Sequence, residues 1–86
     1  MRVTIISPAR AVYEGDATSV IAPAFDGEVG ILPRHAAFMT LLGRGRLVVR
    51  RGQETSTFTV RGGFLQVRDD VVRVVTEDAE GDTHAS

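Results

Sequence analysis

Asp16, Asp26, Glu28 and His35 are among the side chains in the first half of this chain whose types suit acid–base work or metal binding. Three of them fall in one stretch, Phe25-Asp26-Gly27-Glu28-Val29-Gly30-Ile31-Leu32-Pro33-Arg34-His35-Ala36. Each chemistry then fails for want of partners. A Ser-His-Asp relay needs an exposed nucleophile, and no Gly-x-Ser-x-Gly elbow is present to supply it. Zinc needs several converging nitrogen, sulfur or oxygen ligands. The chain has no cysteine and 2 histidines, His35 and His84, the second in a polar tail. A phosphate cradle of the P-loop kind needs a lysine after its glycines. Gly27-Glu28-Val29-Gly30 lacks one and sets an acid where the phosphate would lie. Nothing marks the carboxylates as paired. No active site, metal or cofactor is expected of these residues.

The 86 residues make one small domain, 43% hydrophobic and 24% charged. At this size folding buries only about 60–65% of the exposable surface, so such chains often lean on partners. The absence of cysteine excludes disulfides and thiolate chemistry. No apolar run suits a signal peptide or approaches the ~20 residues of a membrane span, so a soluble cytoplasmic location is expected. The net charge is −1, and all 10 basic residues are arginines. Most lie between Arg34 and Arg68, while Glu77, Asp78, Glu80 and Asp82 crowd the end. A small nucleic-acid-binding module is one alternative that the arginines raise. Few aromatic residues and a balanced charge weigh against it.

Short apolar–polar alternations cut by turn residues point to strands that must position the stretch. They run through Val3–Ile5, 18–22, 28–32, 46–50, 55–60, 64–68 and 71–76, rich in Val, Ile, Thr and Phe. Arg51-Gly52-Gln53-Glu54 and Asp69-Asp70 each read as a hairpin turn, and Glu14-Gly15-Asp16 as a turn. No crossover helix separates any pair, so a parallel sheet is not expected. Gly62-Gly63, between two strand-like runs, reads as a bulge that bends the sheet. The run from Pro33 to Leu42 suits a two-turn helix or a buried strand, and periodicity does not decide between them.

These residues together resemble a known family. Gly27-Glu28-Val29-Gly30-Ile31-Leu32-Pro33-x-His35-Ala36 is similar to the signature of the epsilon subunit of F-type ATP synthases. Tyr13-x-Gly15 with Val20–Pro23, Val60-x-Gly62-Gly63-Phe64-Leu65-x-Val67 and Val72-x-Val74-x-Thr76 match further family strands in order, over residues 2 to about 80. Where the family usually has glycine before the histidine and a proline after the alanine, this chain has Arg34 and Ala37.

The resemblance implies an all-β, antiparallel sandwich of about ten short strands over residues 1–80, with a polar tail at 81–86. It also resolves 33–42 as mainly strand. It implies a non-catalytic rotor subunit at the foot of the central stalk. There the subunit would touch the gamma subunit and the membrane ring of c subunits, as a peripheral component on the cytoplasmic face. The contact residues so implied are Glu28, Val29, Arg34 and His35, and the structural turn residues are Gly27, Gly30, Pro33, Gly62 and Gly63. His35 is expected to bond its ring to nearby backbone. Gly30→Val is expected to melt early if Gly30 holds positive φ or lies under another backbone. Nothing after Glu77 resembles the inhibitory helical hairpin of many relatives. Such inhibition is expected to be lacking, with ATP neither bound nor hydrolysed by the isolated chain.

Overall fold

The computed structural model describes residues 1–81. Its ten strands are β1 (Arg2–Ile6), β2 (Ala11–Asp16), β3 (Ser19–Ala24), β4 (Gly27–Ile31), β5 (Phe38–Leu41), β6 (Arg44–Arg51), β7 (Glu54–Arg61), β8 (Phe64–Arg68), β9 (Val71–Val75) and β10 (Asp78–Gly81). They form two five-stranded sheets, β2-β1-β9-β8-β5 and β10-β7-β6-β3-β4. Among the described residues there is no helix, so none is long and apolar enough to cross a membrane. The expected all-β sandwich is the observed fold.

Period-two alternation places the core. Val3, Ile5, Leu65, Val67, Val72 and Val74 point inward from the first sheet, and Val20, Ala22, Leu47, Val49, Phe58 and Val60 from the second; all are buried. Successive side chains on a strand face opposite sides, so the residues between them face water or the sheet's outer surface. Tyr13 and Phe58 meet edge to face across the sandwich, with ring centroids 5.6 Å apart.

Three sequence expectations change. First, β1 pairs in parallel with β9, Ile5 opposite Val74. The connection between them is most of the sandwich, so no crossover helix is needed. Second, Glu14, Gly15 and Asp16 belong to β2, opposite Thr4, Val3 and Arg2; the turn follows at Ala17. Third, Asp78–Gly81 forms a tenth strand on Val60 and its neighbours, with Ala79 buried. That strand crosses the expected boundary at residue 80, and the rest of the tail lies outside the described residues.

The hairpin turns follow their residue types. Gly52 (φ 61) opens the two-residue loop between β6 and β7. Asp69 and Asp70 both hold left-handed φ values, 53 and 63, as a type I′ hairpin turn requires. At the opposite end of the sandwich two links carry the chain from sheet to sheet: Leu42-Gly43 leads from β5 into β6, and Gly62-Gly63 from β7 into β8. The links are bonded to each other. Leu42 N–H donates to Gly63 O at 2.9 Å, and Gly62 N–H donates to Gly43 O at 3.2 Å. The expected bend at Gly62-Gly63 is therefore a change of sheet. Beside it Thr76, buried, places its hydroxyl 3.3 Å from Arg61 O and 3.0 Å from Asp78 O, so its buried side-chain oxygen is not left unsatisfied.

Candidate functional site

Glu28 stands on β4, the end strand of its sheet, opposite Pro23. The β3–β4 connection is a tight turn through Phe25 and Asp26, closed by Gly27 with φ 132. Pairing with β3 is regular from Gly27 to Ile31. Alternation turns Val29 inward, half-buried against the core, while Glu28 and Gly30 are exposed. Val29 therefore turns most of its side chain toward the core and leaves part of it accessible. Its inward position agrees with the strand alternation expected over residues 28–32.

Gly30 does not turn either. It lies within β4 opposite Ile21, has no left-handed φ, and a Cβ built on it would meet nothing within 4 Å. Neither condition behind the expected early melting of Gly30→Val holds.

The next turn has a clear cause. His35 N–H donates to Leu32 O at 3.1 Å, closing Leu32-Pro33-Arg34-His35. Proline presets the first central position and Arg34 holds φ 68 at the second, the pattern of a type II turn. That position favours glycine, the residue the family signature carries there. A second hold comes from the other sheet, where an Asp70 carboxylate oxygen accepts the Arg34 N–H at 2.9 Å. Arg34→Gly is expected to stabilise the domain. Removing left-handed strain of roughly 1–2 kcal/mol outweighs the ~0.5–1 kcal/mol of added unfolded-chain entropy. Thermal melting should show a rise of a few degrees; a fall would show that the arginine side chain holds the turn.

His35 behaves as expected: its Nδ1 lies 2.8 Å from Ala36 O, and its ring sits 4.9 Å from that of Phe38. It is exposed. The structure thus separates the implied contact residues. Arg34 and His35 sit at one end of β4 and Glu28 near the other, with about 13 Å of strand from Glu28 to Leu32 at ~3.3 Å per residue.

Sequence reasoning missed the exposed apolar side chains Phe25, Leu32, Met39 and Leu41, each more than 60% exposed. Phe25 and Leu41 belong to adjoining segments, since Phe25 N–H donates to Leu41 O at 3.0 Å. In Phe38-Met39-Thr40-Leu41 apolar residues occupy both faces, so alternation gave no sign of which would face water. Three of the arginines lie beside acids: Arg2 lies 3.5 Å from Glu14, Arg61 3.4 Å from Asp78 and Arg68 3.8 Å from Asp69.

Residues 1–82 match the profile of the ATP synthase delta/epsilon chain β-sandwich domain. The ATP synthase epsilon chain of Leptospira borgpetersenii is 38% identical over 77 residues, which cover 90% of this chain and 61% of that protein. That of Acidithiobacillus ferridurans is 42% identical over 78 residues, covering 91% and 55%. This chain thus spans less than two thirds of the length of these relatives. A chain of the Euglena gracilis mitochondrial ATP synthase superposes with a TM-score of 0.86 at 24% identity, covering 92% of this chain and 51% of that one. A chain of the Tetrahymena thermophila mitochondrial ATP synthase central stalk and c-ring gives 0.80 at 21%, covering 92% and 64%. The two structures speak for the fold, and the match over residues 1–82 for descent: the chain belongs to the family of ATP synthase delta/epsilon chain β-sandwich domains.

Proposed function

We propose that this chain is a non-catalytic rotor component of a proton-translocating F-type ATP synthase, joining the gamma subunit to the c-subunit ring on the cytoplasmic side of the membrane. The observation that carries the reading is the family match along nearly the whole described chain. The surface supports it. Exposed Phe25, Met39 and Leu41 are unusual for a free-standing monomer, and such apolar exposure commonly marks a protein contact. Charged neighbours of such a patch set complementarity and register more than affinity.

Glu28 is the charge best placed for that role on the β3–β4 side. Glu28→Arg should leave the melting of the isolated domain within ~0.5 kcal/mol of wild type, because the side chain is exposed. It should lower recovery of the subunit with gamma and c, and lower proton pumping in membrane vesicles. Normal recovery and pumping would remove Glu28 from the contact. Capture of the tagged subunit from membranes without gamma or c would remove the whole reading.

A further inference from the structure

We propose that β4 is an open docking strand, to which an extended segment of a rotor partner adds as a sixth strand of its sheet, seating a bulky apolar side chain over Gly30. The inference rests on the reading of this edge as a partner contact and names how the contact is made.

The main chain comes first. In an antiparallel ladder hydrogen-bonded and non-hydrogen-bonded pairs alternate. Pro23 O accepts from Gly43 N–H at 2.8 Å, so it faces away from β4, and Pro23–Glu28 is a non-bonded pair. Two residues further, Ile21–Gly30 is non-bonded as well. The N–H and C=O groups of Glu28 and Gly30 therefore point off the sheet. β4 closes the order of its sheet, so these are free edge groups.

Glycine comes second. In a strand it usually marks a bulge, a bend or a close approach. Here the register is unbroken, φ is not left-handed and no atom lies within 4 Å of the missing Cβ. The fold gives no reason for glycine at this position, which leaves approach from outside. Gly30 borders a shallow depression of about 360 Å³ whose lining includes Ile21, Leu32 and Arg50. An added strand would set one side chain across from Glu28 and, two positions along, another across from Gly30. Complementarity assigns a basic residue to the first and a large aliphatic or aromatic residue to the second, which covers Ile21.

Gly30→Thr tests this, because it adds a side chain beside the depression without strain and suits a strand. The isolated variant should melt at or above the wild-type temperature. In enzyme assembled with the variant as sole copy, the subunit should dissociate from the rotor at least ten-fold faster. In wild-type enzyme the Glu28 and Gly30 amides should exchange with deuterium at least ten-fold more slowly than in the free subunit. Unchanged dissociation or unchanged exchange would overturn the proposal. A dimer of the free subunit that Gly30→Thr abolishes would also overturn it, assigning the edge to a second copy. If Glu28→Arg impairs assembly while Gly30→Thr does not, the contact stands and strand addition falls.

Discussion

Gly63→Ala is expected to abolish folding of the isolated domain. Gly63 holds φ 98, a backbone conformation that side-chain-bearing residues rarely adopt. A Cβ there would overlap the Val75 carbonyl oxygen and stand 2.6 Å from Thr76 Cα. Both obstacles are backbone, and Val75 is held in place by pairing with Ile6 on one side and Phe64 on the other. Relief would require β8 and β9 to part where the chain changes sheets. Strain and overlap together put the loss above ~4 kcal/mol, the exceptional range for one substitution and comparable to the whole stability of a small domain. The adjacent Gly62→Ala is the control. Gly62 is also left-handed, at φ 71, but its Cβ would meet only the Glu77 carboxylate, 3.6 Å away. A loss of about 1 kcal/mol is expected there. Circular dichroism should show strand signal and a cooperative melt for Gly62→Ala and neither for Gly63→Ala. Equal behaviour of the two would refute the argument.

Leu65→Ala is expected to cost about 2–5 kcal/mol, through lost transfer energy and the cavity left behind. Leu65 is 0% exposed on β8, between Thr40 on β5 and Val74 on β9. At roughly 4–8 °C per kcal/mol for a domain of this size, its melting midpoint should fall by ten degrees or more. Leu41→Ala, on the neighbouring strand, removes the same atoms from a side chain 62% exposed. It should shift the midpoint by no more than a few degrees while weakening the partner contact proposed for this side. A comparable fall in both would mean that Leu41 is covered in the free subunit.

These contrasts show what the sequence carried. Strands, hairpins and the inward set were legible because each depends on neighbours within a few residues: Val72 and Val74 alternate with Val71 and Arg73, and Asp69-Asp70 sits between two apolar runs. The type II turn at Pro33-Arg34 was half legible. Proline announces it, but arginine at the left-handed position hides it, and the Asp70 carboxylate that helps hold it lies 36 residues away. The parallel pairing of β1 with β9 left no local mark, because alternation says which face of a strand is buried and not which neighbour it takes. At the candidate site, Glu28 and His35 stand close in sequence, yet one straight strand sets them at opposite ends. The solvent face of Met39 and Leu41 was hidden for a similar reason, since only the assembled sheet decides it.

The parallel pairing has a consequence for synthesis. β1 is made before the other nine described strands, and it lies inside its sheet between β2 and β9. At ~5–20 residues per second, translation from Ile6 to Val71 takes roughly 3–13 s, long beside the milliseconds to seconds in which β-sandwiches of this size fold. Throughout that interval the nascent chain holds Val3 and Ile5 beside an empty lane. Closure of the sandwich therefore follows the emergence of β9 from the ribosome, and until then β1 depends on β2 alone to shield it from pairing with another chain.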